Sequence, residues 1–268
     1  MAQAKKSYWL LSETSSIADT RNPARQRHLP VQAAFEWLKA GWRDLTVQPA
    51  LSLIYGFAVF VVSALLVWAM FEWGQDYILF PALAGFLIVA PLLAIGLYEK
   101  SRALENGERP TLRRMLLVRP QAGAQLLFTG LLLCLLLLLW MRAAVIIYAL
   151  FFGVRPFPGF DHTIDMLFTT PFGWAMLVVG TLIGGLFAAF GFAVSVFSIP
   201  MQLESRTDTL TAMGTSMAMV WNNLVPMIAW GAIVLGLVVI SVATALIGFI
   251  VIFPLLGHAT WHAYRAMR

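Results

Sequence analysis

The sequence predicts an all-α, polytopic integral membrane protein. It has six transmembrane helices, amphipathic helices at the membrane surface, and an internal repeat of helix-plus-hairpin units. Three observations carry this. Hydrophobic residues make up 60% of the 268-residue chain and charged residues 12%, with a mean hydropathy of +0.80. A soluble domain is about half apolar and a quarter charged. Uncharged stretches long enough to span a bilayer recur along the chain. Lys and Arg gather on alternate connections between those stretches. An ordinary soluble globule, a disordered chain and a disulfide scaffold are thereby excluded.

Residues 1–30 are polar and read as a flexible cytoplasmic tail ahead of a membrane domain over 31–268. Lys5 and Lys6 precede too few apolar residues for a signal peptide, so the first span is expected to act as its own insertion signal. A surface helix is predicted over 31–46. Pro30 stands where a helix starts, and Val31, Ala34, Phe35, Leu38, Trp42 and Leu45 form one stripe, with Glu36, Lys39 and Arg43 on another face. Spans follow at about 50–71 and 77–99, with Glu72 and Asp76 marking the turn between them. The third lies at about 121–143, and its apolar stretch runs past Arg142 to Phe152. The fourth covers about 171–200. A second surface helix over 207–220 carries Leu210, Met213, Met217, Val220 and Trp221 as its stripe. From 209 to 264 there is no charge, too long a stretch for one crossing. It splits near 242–245 into spans at 222–243 and 245–264.

Six spans put both termini on one side. Of the 18 Lys and Arg, all but Arg142 and Arg155 fall on that side. This asymmetry assigns both termini to the cytoplasm. It also accounts for the net charge of +5 without nucleic acid, so the expected partner is the lipid bilayer. The single Cys134 lies in the apolar run 131–139 and reads as a small buried hydrophobe.

The two surface helices align without a gap. Phe35, Leu38, Trp42, Leu45 and Tyr55-Gly56 match Leu210, Met213, Met217, Val220 and Trp230-Gly231. Further on, Gly85-Phe86-x-x-x-x-Pro91-Leu92-Leu93 matches Gly248-Phe249-x-x-x-x-Pro254-Leu255-Leu256, and Arg102 matches Arg265. Both copies start and end on the same side, so they are parallel, whereas inverted repeats are the more usual sign of alternating access. A third unit, Pro110 to Arg119 with spans three and four, matches poorly residue by residue.

Pro254-Leu255-Leu256-Gly257-His258-Ala259-Thr260-Trp261-His262-Ala263-Tyr264-Arg265 resembles the closing signature of a bacterial family of integral membrane proteins labelled domain of unknown function 2189. Glu36-Trp37-Leu38-Lys39-Ala40-Gly41-Trp42-Arg43-Asp44-Leu45, Pro91-Leu92-Leu93-Ala94-Ile95-Gly96-Leu97-Tyr98-Glu99 and Ser198-Ile199-Pro200-Met201 resemble it as well, over roughly 30–265. The resemblance implies a multi-pass protein of the bacterial inner membrane. Some members carry a cytochrome c oxidase subunit label. This chain lacks the several membrane-embedded histidines of a haem-copper subunit, so that label would imply an accessory subunit or assembly partner.

Candidate site residues are few. His258 and His262, four apart on the sixth helix, face the same way and suit one divalent metal or a haem; the other reading is an interfacial helix end at headgroup depth. Arg142 is a buried functional charge, with Glu72 or Asp76 as partner, or a snorkelling helix end. Asp161, His162 and Asp165 either bind a cation or cap a short helix. Glu99, Lys100 and Arg102 read as a self-paired interfacial cluster, and Arg109, Arg113, Arg114 and Arg119 face the anionic leaflet. Gly180 and Gly184 give a small-residue packing face, more suited to an internal contact than to a dimer.

No phosphate loop, Ser–His–Asp arrangement or Cys cluster is present, so no enzymatic activity and no cofactor is expected. The leading expectation is a non-catalytic accessory, assembly or scaffold component of a membrane complex, for instance a respiratory one. A carrier for a small or lipidic solute is the alternative, with a mid-membrane cavity at Arg142, Thr129 and Thr181. A metal- or haem-binding protein using His258 and His262 is the third.

Overall fold

The computed structural model describes residues 29–153 and 160–268, without the side chains of Asp76 and of 160–164. The tail expected over 1–30 lies almost wholly outside the described residues, as do residues 154–159. The chain is all-α. Its helices are α1 (Ala33–Thr46), α2 (Pro49–Glu72), α3 (Leu79–Leu93), α4 (Ile95–Glu105), α5 (Leu112–Leu116), α6 (Ala124–Phe152), α7 (Phe160–Thr169), α8 (Pro171–Ser195), α9 (Ser198–Glu204), α10 (Thr209–Asn222), α11 (Leu224–Ala243) and α12 (Phe249–Met267).

Five of the described helices are long and apolar enough to cross a membrane: α2, α3 with α4, α6, α8 with α9, and α11. The sixth predicted span coincides with α12, which is helical but does not reach that apolarity. Its first half is apolar; its second half carries His258, Thr260, His262 and Arg265.

Two of the apolar helices are interrupted next to a proline. Pro91 precedes the break at Ala94, where the freed carbonyl of Leu93 accepts a hydrogen bond from the Tyr55 hydroxyl at 2.7 Å. Pro200 has no N–H to offer Val196, and its ring crowds that carbonyl. In the turn just before it, the Ser216 hydroxyl of α10 enters the broken ladder. It donates to Ala193 O at 2.6 Å and accepts from Phe197 N at 3.1 Å, the two groups that would otherwise bond each other.

The core forms around α12. Helices α1 and α2 pack along it, and α4 packs against it from another side. A Cβ on Gly41 would stand 2.6 Å from Ala259 N, and one on Gly56 2.2 Å from Ile250 O, so only glycine permits these backbone approaches. The predicted stripe of α1 is corrected here. Ala33, Ala34, Trp37, Ala40, Gly41 and Leu45 face the protein, while Phe35 and Trp42 are 61% and 51% exposed. Helix α10 repeats the arrangement, with Thr209, Ala212, Ser216 and Met219 inward and Leu210, Met217 and Trp221 outward. Each surface helix therefore has a protein face and an exposed apolar face, and α1 adds a charged one.

Elsewhere α6 packs on α3, α5 on α4, and α10 on α8 and α9. Helix α11 has no substantial contact with α8. At the arginine-rich end, Arg265 of α12 bonds Glu105 of α4 (2.8 Å) and Glu204 of α9 (3.0 Å), so three helix ends meet at one guanidinium. Cys134 is exposed rather than buried, because α6 turns its other face to α3 and α8.

Candidate functional site

Helix α12 carries a polar face on one side and an apolar cavity on the other. The polar face is a hydrogen-bonded chain. Lys100 Nζ donates to Ser52 Oγ at 2.7 Å and reaches Gln48 O at 3.3 Å. Gln48 has a left-handed backbone (φ 52°) just before α2, uncommon for a side-chain-bearing residue, and this strained turn presents its carbonyl to the lysine. Ser52 Oγ lies 2.9 Å from His258 Nε2, and His258 Nδ1 lies 2.8 Å from Ser101 Oγ. Ser52, Lys100, Ser101 and His258 are all buried. His262 Nε2 meets Asp44 Oδ2 at 2.8 Å, closer to solvent. Burial pushes the Asp44 carboxyl up, but hydrogen bonds from His262 and Ser101 and the nearby imidazoles outweigh it and hold Asp44 below its ordinary range.

His258 is thus not at an exposed helix end: both its ring nitrogens are engaged inside the protein. His262 has a carboxylate partner of its own. Among the described residues no group of three or more His, Cys, Asp or Glu is arranged to hold a metal ion. Lys100 leaves the expected cluster with Glu99 and joins the histidine chain instead. Glu99 pairs with Arg102 (2.7 Å) and Arg114 (2.5 Å). Arg114 also bonds Glu108, and these hydrogen bonds, Glu108 first and then Glu99, push its guanidinium above its ordinary value.

Beside this pair lies a polar hollow of about 600 Å³. Its walls are Glu99, Arg102, Thr111, Arg113, Arg114, Leu117, Arg119 and Gln121.

The apolar cavity measures about 370 Å³ and lies where α11 stands away from α8. Phe86, Pro91, Ala188, Phe192, Trp230, Gly231, Val238, Phe249, Phe253 and Gly257 are among its walls, with Tyr98 and Thr260 as its polar members. Trp230 is fully buried and stacks edge-on against Trp37 at 6.1 Å. Its indole N–H has no acceptor among the described residues. The cavity is not the one expected at Arg142, Thr129 and Thr181, none of which lines it. Thr129 is buried and bonded to Gln202 at 2.7 Å, and Thr181 is exposed.

Arg142 is exposed on α6, about 27 Å along the helix from Ala124 at 1.5 Å per residue, and has no ion pair with Glu72 among the described residues. Of the glycine pair, Gly184 packs on the Trp140 ring, where an added Cβ would stand 2.8 Å from Cη2, whereas Gly180 faces open space. The side chains of Asp161 and His162 lie outside the described residues, and Asp165 is exposed.

Sequence reasoning did not single out Ser52, Ser101, Asp44 or Trp230. The available signal was position: Ser52, Ser101 and Lys100 are polar groups near the ends of apolar helices, where polar side chains turn inward.

A family model described as predicted integral membrane protein (DUF2189) matches residues 79–204. The matched segment holds the Pro91 to Glu99 and Ser198 to Met201 motifs and leaves α1 and α12 outside it. No curated protein and no solved structure matches the chain. With its long apolar helices, the chain is a multi-pass integral membrane protein in contact with the lipid bilayer.

Proposed function

We propose that this protein, whose residues 79–204 belong to the DUF2189 family, is non-catalytic and holds the chain of a lipidic solute inside the membrane. The observation that carries the reading is the apolar cavity. Its volume of about 370 Å³ falls in the range of ligand sites, and at about 30 Å³ per water-sized group it takes roughly a dozen heavy atoms. The gap between α8 and α11 gives a lateral path from the bilayer. Lipid chains are the abundant apolar molecules there.

The proposed setting is a bacterial inner membrane, with six spans and both termini cytoplasmic. The charge asymmetry supports this orientation. Three helix-plus-hairpin units fit the packing: α1 to α4, α5 to α9, and α10 to α12. The surface helix of each unit packs on the second span of the unit before it, cyclically, and Arg265 joins all three second spans. Among the described residues, α11 against α8 is the interface of this ring left without substantial contact, and the cavity lies there.

The test is saturable quenching of tryptophan fluorescence by a brominated long-chain fatty acid, with the purified protein in detergent. A saturable component is expected that is lost in Trp230→Phe and in Gly231→Leu, the latter placing a side chain where Gly231 has open space. Quenching that stays linear, or that is unchanged in both variants, refutes the reading.

A second reading, the accessory or scaffold component, is favoured by one observation. Gly180 and Gly185 on α8, and Gly236 on α11, have nothing within 4 Å of a Cβ position, so a partner helix has room to approach closely.

A further inference from the structure

The hollow between α4, α5 and the segment after α5 is lined by four guanidiniums: Arg102, Arg113, Arg114 and Arg119. The carboxylate in its wall is Glu99, which is already shared between Arg102 and Arg114. Glu108 takes a second bond from Arg114 and is itself half exposed. Arg113 and Arg119 have no carboxylate partner among the described residues. With Arg102 and Arg114 paired to Glu99 and Glu108, the charges of Arg113 and Arg119 stand uncompensated beside this hollow of about 600 Å³ and repel one another unless an anion joins them. Guanidinium forks match phosphate oxygens in geometry as well as charge.

The depth of the hollow selects the source of that phosphate. Leu117 in its wall and Leu116 next to it in the chain are 65% and 63% exposed. Such side chains are favourable where they dip into the acyl boundary, and they put the arginines at the level of lipid phosphates. We infer that the hollow is a binding site for the phosphate headgroup of an anionic membrane lipid, with Arg113 and Arg119 as the two guanidiniums free to hold it. Two free cations match a headgroup of two negative charges, such as a phosphate monoester. The inference does not rest on the apolar cavity, and its variants lie on other elements.

The experiment is native mass spectrometry of the full chain released from detergent. The probes are phosphatidic acid, phosphatidylcholine with the same acyl chains, and inorganic phosphate, each added separately. Phosphatidic acid is expected to be retained about tenfold over phosphatidylcholine, and less so as ionic strength rises. In Arg113→Gln/Arg119→Gln the two lipids become equal, while Arg113→Lys/Arg119→Lys keeps a partial preference through charge alone. Both arginines are exposed, and an unchanged helical circular dichroism signal verifies that the variants fold. Equal retention of the two lipids by the unaltered protein overturns the inference. So does a preference that survives the double glutamine change. Inorganic phosphate retained alone with the same arginine dependence overturns the lipid assignment and leaves a site for free phosphate.

Discussion

Replacing Gly41 with alanine tests the close approach of α1 and α12. The new methyl would sit 2.6 Å from Ala259 N, 2.8 Å from Ala259 Cβ and 2.9 Å from its Cα. Ordinary contact begins near 3.4 Å, so the helices must part by about 0.8 Å. The obstacle is backbone, which no rotamer change relieves. Overpacking costs about 1–3 kcal/mol, and this case belongs at the upper end. Alanine returns about 0.5–1 kcal/mol of helix propensity, which leaves a net loss of about 2 kcal/mol. The control is Gly214→Ala on the other surface helix, where nothing lies within 4 Å. There the propensity term acts alone and stability rises by up to about 1 kcal/mol. The assay is equilibrium unfolding in mixed detergent micelles followed by circular dichroism. If the two substitutions shift the midpoint in the same direction by similar amounts, the close-approach argument is wrong.

Two further outcomes are expected. Ser216→Ala removes the hydroxyl that bridges Ala193 O and Phe197 N–H at the α8–α9 break, and should cost about 1–3 kcal/mol in the same assay; a change under about 0.5 kcal/mol would show that the broken rung closes on itself. The Asp44 carboxyl is held below its ordinary value in the folded protein, so its stabilising contribution is fully present above the unfolded-state value and is lost as pH falls through the folded one. Asp44→Asn should therefore be less stable than the unaltered protein at neutral pH and converge with it in acid below pH 3.8; a difference that stays constant with pH would refute the assignment.

The helices were readable from the chain because uncharged stretches of span length leave little alternative. Their facing was not. Large apolar residues, Phe35 and Trp42, mark the buried stripe of an amphipathic helix in a soluble protein. In a membrane protein the weighting inverts: lipid accepts the large side chains, and small residues such as Ala33, Ala40 and Gly41 let helices touch. His258 was misplaced for the converse reason, since a histidine near the end of an apolar helix looks interfacial until Ser52 and Ser101 are known to stand on either side of it. The arginine hollow was legible as charge, but its concavity needs the fold of α5 against α4.

The partners of α12 bear on how the chain is made. Ser52 is separated from His258 by 206 residues, and Asp44 from His262 by 218. At roughly 5–20 residues per second, a ribosome takes about 10–40 s to cover that distance. Through that interval the first hairpin stands in the membrane with Ser52 and Ser101 lacking the His258 ring between them and with the bare groove at Gly41 and Gly56 open to lipid. Insertion of the early helices and completion of their packing are therefore separate events, and a chain truncated before α12 presents an unfilled polar groove to the cell's membrane quality control.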